Sequence, residues 1–470
     1  MRFLQKKSFE SVINEVQKSH ALEKTLTGFD LMLLGIGFIV GTGVFVLTGL
    51  VAASYAGPAV MLSYAIAGLV CVFVALAYTE LAVMVPSSGS IYSYSYIAFG
   101  EFVAWLMGGC ILLNLGIGAC VVAGGWSAYM VTLLASGGIH IPPEFTSVPA
   151  NGGIANLPAI FIACFVGVVL HLGTKDSKML NAALVFIKMG AILVFVIVAA
   201  PHFEVKNWET FMPFGLDNVI YGSSMLFFAF TGFGGLSAAA EECKNPKKDL
   251  IVGIIGSLLL STVVYVIVAA LLTGIVSYTT LGTPDSLAQA LAANGSTIGT
   301  AIITVGAVAG FTTVILMQLF TTTRIFFAMS RDGLMPECFA KVHKKYHSPY
   351  VTIWMLVAAV SLISGFCDIK LLAQISSMGA LVEYIMVLVI VMLFRFTLAH
   401  VKRTFNCPAI WVIAPIGLIA CLYLVFIQVV DHDGNLRESG RTMFYWFVAI
   451  AAFYVLRSFS LPKMVKGAAK

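Results

Sequence analysis

Long uninterrupted apolar runs are the feature that most constrains this chain. Residues 31–53, 251–276 and 409–426 are three of them. A helix needs ~20 apolar residues to cross the hydrocarbon core of a bilayer, because each residue rises only ~1.5 Å along its axis. The runs show no strand-period alternation, which argues against a membrane barrel. The chain is therefore predicted to be an all-α polytopic membrane protein.

The composition agrees with this class. Of the 470 residues, 60% are apolar and 10% are charged, whereas a soluble domain has ~25% charged residues. The nine cysteines form no CxxC pair, so we expect neither a disulfide framework nor a metal site. No HExxH, GxSxG or phosphate-loop motif is present, so the sequence predicts no enzyme, no cofactor and no ATP-driven pump.

The apolar runs predict twelve transmembrane helices. The predicted spans are residues 28–52, 58–84, 100–136, 157–172, 180–199, 218–241, 250–275, 298–330, 351–365, 370–394, 408–430 and 442–459. The corresponding organisation is a cytoplasmic N-terminal segment (1–27), a first five-helix repeat (28–199), a second five-helix repeat (200–394), helices 11 and 12 (395–459) and a cytoplasmic tail (460–470).

Lysine and arginine are distributed unevenly between the predicted loops. With both chain ends on one side, 22 of the 27 Lys and Arg residues fall on that side and four on the other, and Lys188 lies within a span. Loops rich in these residues stay in the cytoplasm. We therefore expect a multi-pass protein of the inner (plasma) membrane with both termini cytoplasmic. The same distribution explains the net charge of +5 without a nucleic-acid partner.

Glycine clusters lie in the first and sixth predicted spans. Residues 35–43 read GIGFIVGTG and residues 227–235 read FFAFTGFGG. Glycine costs about 1 kcal/mol relative to alanine within a helix, and backbone freed inside a membrane must line a cavity or meet a ligand. The new helix N-terminus suits a carboxylate, and the freed carbonyls suit an ammonium group or a cation. Two broken helices in an inverted-repeat transporter are predicted, with close helix packing through glycine as the alternative.

A few polar side chains fall inside or at the ends of the spans. Lys188 is either a proton carrier or a lysine that snorkels to the interface. Glu383 is either a proton site or a structural group paired with a hydroxyl such as that of Tyr384. Asn114 bonds between helices or faces the pocket. Gates or interfacial pairs are expected at the cytoplasmic ends, at Glu80, Glu241 and Glu242.

Several ordered motifs resemble a known family. The chain is similar to the amino acid–polyamine–organocation (APC) superfamily, and within it to the cationic amino acid transporter (CAT) family, from about residue 25 to 458. The resemblance implies a five-plus-five inverted repeat with broken helices 1 and 6, followed by two additional helices. The segments that carry it are residues 35–45, 57–80, 86–92, 100–105, 239–250 and 323–334.

The resemblance also implies roles for particular residues. The substrate carboxylate is expected at the N–H groups of Thr42 and Gly43, which follow Gly41 in the first glycine cluster. The amino group of the substrate is expected at carbonyls near Ile39 and in the second glycine cluster. The ring of Phe228 is expected to be the gate. Lys188 is expected to be the proton-coupling residue. The carbonyls in the second cluster belong to Phe228, Ala229 and Thr231.

Two departures from the family pattern bear on the substrate. The third helix of the family commonly carries a glutamate where this chain has Asn114, and the sixth commonly reads Gly-Phe-Asp where this chain has Gly234 after Gly-Phe. A buried cationic side chain on a substrate needs a paired charge. Neutral amino acids are therefore expected to be favoured over cationic ones, with Asn114 among the substrate-binding residues.

The leading hypothesis is a proton-coupled amino acid importer that works by alternating access, with an amino acid, protons and membrane lipids as its partners. An amino acid exchanger and a cationic amino acid permease are alternatives of the same class. A membrane receptor for amino acids is the alternative from another class. Substrate identity, stoichiometry and oligomeric state are not predicted.

Overall fold

The computed structural model describes residues 5–18, 26–87, 89–172, 177–236, 243–343, 346, 348–431 and 434–460. The regular structure of these ranges is helical, apart from two isolated β-bridges, so the all-α prediction is confirmed. The α-helices are α1 (Phe9–Lys18), α2 (Gly28–Ile39), α3 (Thr48–Val51), α4 (Val60–Met84), α5 (Ser90–Ala98), α6 (Glu101–Ile111), α7 (Gly118–Ser136), α8 (Leu157–Leu172), α9 (Ser177–Ala199), α10 (Gly215–Leu226), α11 (Pro246–Ile275), α12 (Ser286–Ala293), α13 (Thr297–Arg331), α14 (Tyr350–Phe366), α15 (Ile369–Thr397), α16 (Ile410–Val429) and α17 (Glu438–Ser460).

Nine helical stretches among the described residues are long and apolar enough to cross a membrane, and two shorter apolar helices, Leu157–Leu172 and Tyr350–Phe366, accompany them. The outer faces of these helices carry large exposed apolar side chains, such as Phe161 on α8, Val263 on α11 and Ile419 on α16. Such a surface suits lipid contact rather than water.

The first glycine-rich span lies at the centre of the bundle. Helix α2 packs against α11 and α9, and α11 packs in turn against α4. Helix α2 begins with a capping box, in which Thr27 accepts a bond from the Asp30 N–H and Asp30 accepts one from the Thr27 N–H. Residues 35–52 are all buried, so the backbone of this segment is shielded from lipid on every side.

The two ends of the bundle differ. One end carries Lys7, whose ammonium group lies 2.8 Å from the carboxylate of Asp332, and Glu80, whose carboxylate pairs with the guanidinium groups of Arg395 and Arg403. The interfacial pairing expected at Glu80 is thus present in the structure. The opposite end carries residues 137–156 and the start of α12. Residues 237–241 of the predicted sixth span, and Glu242, lie outside the described residues.

Candidate functional site

The first glycine cluster contains a helix interruption. Helix α2 ends at Ile39, and Val40 is extended, with φ −76° and ψ 100°. Helical winding resumes at Thr42 and continues as a π-helix over Gly43–Leu47. The last carbonyls of a helix and the first N–H groups of the next have no partner within their own helix. Both kinds of backbone group therefore meet in the buried middle of the bundle.

The second glycine cluster contains another interruption. Helix α10 ends at Leu226 and is followed by a 3₁₀-helix over Phe227–Phe230. Thr231 is extended, with ψ 148°, and Gly232 has a φ of +119°, a conformation that L side chains rarely adopt. The Phe228 carbonyl accepts bonds from the N–H and the hydroxyl of Thr231 at 3.1 and 2.8 Å. This carbonyl therefore already has local partners.

The two interruptions pack directly on each other through glycines. A Cβ added at Gly43 would overlap Ala229, and one added at Gly232 would overlap the ring of Phe38. Any larger residue at either position would push the two segments apart. The glycines therefore allow the two segments to pack closely and also allow the unusual backbone conformation. Both sequence predictions, the broken helices and the close packing through glycine, apply to the same residues.

Carbonyl groups from both interruptions converge on one hydroxyl. Tyr265 of α11 is fully buried, and its hydroxyl oxygen lies 2.8 Å from the Ile39 carbonyl oxygen and 3.0 Å from that of Ala229. A phenol has a single hydrogen to donate, so the two carbonyls share it and retain acceptor capacity. The sequence reasoning missed Tyr265, although a tyrosine in the middle of an apolar run was the available signal.

Lys188 of α9 meets the first interruption from the other side. Its side chain is 0% exposed, and Nζ donates to the carbonyl oxygens of Gly37 at 2.7 Å and Val40 at 2.8 Å. The stem of the side chain borders Gly310 of α13. A lysine in this position does not snorkel to an interface, so that alternative is wrong. The ammonium group instead supplies donors to carbonyls that the interrupted helix leaves without partners.

Phe228 is buried beside the two interruptions and packs against α7. The residue is 4% exposed, and Gly118 of α7 packs against it, because a Cβ added at Gly118 would lie 3.2 Å from Phe228 Cε2. The same point would lie 3.0 Å from Gln318 Nε2 and 3.3 Å from Ser376 Oγ. The side-chain oxygen of Gln318 is buried and has no hydrogen-bond partner in the described part of the chain. Gln318 is a second polar residue near the interruptions that the sequence reasoning missed.

Asn114 and Glu383 form a buried pair one turn from Gly118. Asn114 lies in a π-helical stretch, Leu112–Ile117, and its side-chain nitrogen donates to the Glu383 carboxylate at 2.9 Å. Glu383 therefore bonds to Asn114 rather than to the Tyr384 hydroxyl, the partner that the sequence suggested. A cavity of about 20 Å³ borders both residues and Gly234, which is room for about one water molecule. The side-chain oxygen of Asn114 has no partner among the described residues.

The structure thus brings most of the sequence-predicted residues together. Residues 39–43 and 228–231 face each other, with Gly41 against Val314 of α13 and Thr42 against Gly125 of α7. Lys188 contacts this group of residues through the Gly37 and Val40 carbonyls. The hydrogen-bonded pair of Asn114 and Glu383 lies next to the group. Together these groups offer carbonyls and helix-start N–H groups in one buried region, which are partners for an ammonium and a carboxylate group.

A family model described as amino acid permease matches residues 26–453. The chain belongs to the amino acid permease family. The match covers the described bundle from the start of α2 to α17, so this permease is a membrane-embedded member of the APC superfamily, as the motifs indicated. The relatives of this permease are transporters and permeases, which points to a protein that is not an enzyme.

Two bacterial relatives match the permease over nearly its whole length. The methylthioribose transporter of Bacillus subtilis (strain 168) is 40% identical over 423 residues, which cover 90% of this chain and 92% of that protein. The branched-chain amino acid permease BcaP of the same strain is 39% identical, with 89% and 91% covered. Cationic amino acid transporter 1 of Arabidopsis thaliana is 34% identical, with 82% of this chain and 65% of that protein covered.

Proposed function

We propose that this permease imports amino acids across the plasma membrane by alternating access, that proton entry drives the import, and that neutral amino acids are favoured. The observation that carries the proposal is the meeting of two interrupted helices, where the Ile39 and Ala229 carbonyls share one Tyr265 hydrogen. Acceptors that are incompletely satisfied in a buried site favour an incoming ammonium group.

The proposed architecture has twelve spans, with repeats over 28–199 and 200–394, helices 11 and 12 over 395–459, and polar ends over 1–27 and 460–470. In support, each predicted span overlaps one of the helices given above, and the interruptions fall in the first and sixth. The bias of Lys and Arg supports a cytoplasmic location for both ends. On this orientation, Lys7 and Glu80 lie on the cytoplasmic side and Asp285 on the outer side.

The proposed substrate site uses the backbone at both interruptions. The N–H groups of Thr42 and Gly43 start a helical segment and suit the carboxylate, with Gly41 leaving room for it. The carbonyls of Ile39, Ala229 and the neighbouring Thr231 receive the ammonium group, and the Phe228 carbonyl, which already accepts two bonds from Thr231, is the weakest acceptor among them. The Phe228 ring is the gate. The packing described above and the resemblance to the family support these roles.

Lys188 is the proposed proton-coupling residue. Its charged form donates to the Gly37 and Val40 carbonyls, so protonation ties α9 to the end of α2. Loss of the proton would leave a neutral amine, which holds these carbonyls less strongly. The tie between α9 and the first interruption would then loosen as the proton moves on, which gives a physical link between the proton and a rearrangement of the substrate site.

The substrate preference depends on the carboxylates near the pocket. Asn114 and Gly234 stand where the family commonly has acids, which supports neutral substrates. The Bacillus subtilis relative named branched-chain amino acid permease supports them as well. The observation that favours cationic substrates is Glu383, a buried carboxylate whose described side-chain partner is the neutral amide of Asn114. An amino acid exchanger is the remaining alternative for the transport mode.

The test is a thermal-shift screen of the purified protein with all standard amino acids and methylthioribose, followed by uptake into proteoliposomes. The proposal expects stabilisation by neutral amino acids and an uptake that needs an inward proton gradient. Stabilisation by lysine or arginine alone would replace it with the cationic permease. Counterflow that persists without a proton gradient, together with no net uptake driven by such a gradient, would replace symport with exchange. A response to methylthioribose alone would overturn the amino acid assignment.

A further inference from the structure

A polar cavity of about 380 Å³ lies at the end of the bundle opposite Lys7 and Glu80. It is bordered by α7, by residues 146–156, by the start of α12 and by the α14–α15 connection. We propose that this cavity is an outer binding site, in which Asp285 holds the ammonium group of an amino acid before the substrate reaches Phe228. This inference rests on the proposed function and its orientation.

Asp285 gives the cavity its negative charge. The residue is 7% exposed, and its two carboxylate oxygens accept hydrogen bonds from the Thr132 hydroxyl at 2.6 Å and from the Gln289 side-chain nitrogen at 2.8 Å. Both donors are neutral, and no ion pair joins Asp285 to a cation within the described residues. A carboxylate has about four acceptor positions, and a buried one is stabilised by a cationic partner. A primary ammonium group supplies this charge.

A second side chain in the same cavity lacks a hydrogen-bond partner among the described residues. Ser364 of α14 is 2% exposed, and its hydroxyl has no hydrogen-bond partner in the part of the chain that the structure describes. Buried hydroxyl groups normally have one. An amino acid held at Asp285 would bring further polar atoms into the cavity, and the cavity volume falls within the range of ~300–1,000 Å³ that is usual for small-molecule sites.

The position of the cavity places it on a path to the proposed substrate site. Cys120, Gly124 and Ala128, which line it, follow one another at one-turn spacing on α7. Gly118, which packs against Phe228, lies two residues before Cys120 and so faces another side of α7. On α15, Leu372 lines the cavity and lies one turn before Ser376, which lies beside Gly118. We therefore expect a substrate that leaves the cavity inward to follow α15 and to meet Phe228 next.

The first test measures uptake by Asp285→Asn in proteoliposomes, with the neutral amino acid that stabilises the wild type best. The asparagine oxygen can accept the bond from the Gln289 nitrogen, and its nitrogen can donate to the Thr132 hydroxyl oxygen, but the charge is removed. The expected result is a rise in KM of about tenfold, the factor that corresponds to 1.4 kcal/mol, with kcat within twofold of the wild type. Asp217→Asn is the matched control, because Asp217 is exposed at the same end and does not line the cavity. Equal KM values for the two variants would overturn the inference.

The second test uses the wild-type protein and so does not depend on how a variant folds. Cys367 lines the cavity and is exposed, whereas Cys338 is partly exposed at the other end of the bundle. The amino acid should slow maleimide labelling of Cys367 at least fivefold and leave Cys338 unchanged, as read by peptide mass spectrometry. In Asp285→Asn this protection should require about tenfold more substrate. Equal labelling of Cys367 with and without substrate would overturn the outer site, whereas a wild type that transports no amino acid would overturn the proposed function itself.

Discussion

Lys188 donates a hydrogen bond of 2.7 Å to the carbonyl oxygen of Gly37, a residue 151 positions earlier in the chain. A second bond of 2.8 Å from the same ammonium group reaches the Val40 carbonyl. The lysine thus completes the end of an interrupted helix that would otherwise present bare carbonyls to a buried space. One side chain thus links the α9 helix to the backbone that borders the proposed substrate site.

Replacing Lys188 with alanine is expected to abolish gradient-driven accumulation. The variant also leaves the Gly37 and Val40 carbonyls without donors, and each unsatisfied buried group costs about 1–3 kcal/mol. We therefore expect a lower Tm together with the loss of uptake. Uptake into proteoliposomes with an imposed proton gradient, and thermal unfolding in detergent, measure the two effects.

Lys206→Ala is the control for the Lys188 variant, since Lys206 is an exposed lysine in the connection between α9 and α10. It should behave as the wild type in both measurements. Unchanged accumulation by Lys188→Ala would remove the coupling role. Lys188→Arg should keep part of the stability but little of the coupling, because a guanidinium group stays charged throughout.

Replacing Tyr265 with phenylalanine should weaken substrate binding. The hydroxyl holds the Ile39 and Ala229 carbonyls at a common point, and a typical net hydrogen bond contributes about 0.5–1.5 kcal/mol. The expected result is a Kd higher by up to about tenfold and a slightly lower Tm, both measured on purified protein. Tyr423→Phe is the control, because Tyr423 is 49% exposed on α16. Equal Kd values for the two variants would show that this hydroxyl does not shape the site.

A methyl group at Gly43 should separate the two interrupted segments. The added Cβ would overlap Ala229, and overpacking of this kind costs typically about 1–3 kcal/mol. Gly43→Ala is therefore expected to bind substrate at least tenfold more weakly in a titration of the purified protein. In Gly190→Ala the new Cβ meets nothing within 4 Å, so this variant should bind normally. A Gly43→Ala protein with wild-type affinity would contradict the close packing as a requirement for binding.

A second carboxylate beside Glu383 should shift the substrate preference. Asn114→Glu places a new acid where the amide nitrogen of Asn114 lies 2.9 Å from the Glu383 carboxylate. Two carboxylates at this distance favour a cationic partner, so uptake of lysine or arginine relative to a neutral amino acid should rise about tenfold or more. Competition between labelled and unlabelled amino acids measures the ratio. Asn114→Gln keeps the amide and should leave it unchanged, and a rise in that control would point to pocket size instead of charge.

The sequence predicted the fold class and the family, and it located both helix interruptions. Apolar run length specifies a membrane helix without any knowledge of its neighbours, and glycine clusters are local signals. The role of Tyr265 could not be predicted, because α11 is apolar on its exposed outer face as well as on its packed face, so no periodicity tells which polar group faces the centre. The Asn114–Glu383 bond spans 269 positions, and only the packing of α15 against the 112–117 stretch reveals it. For Lys188 the sequence left a proton carrier and a snorkelling lysine open, and its buried contacts exclude the snorkelling lysine.

The central claim is that the interrupted backbone binds both charged ends of an amino acid, and titration with matched derivatives tests it most directly. The best-binding amino acid is compared with its methyl ester, which lacks the carboxylate, and with its N-acetyl form, which lacks the ammonium group, by isothermal titration of the purified wild type. The account predicts that each derivative binds at least a hundredfold more weakly than the parent. Binding of either derivative with the affinity of the parent amino acid would contradict it.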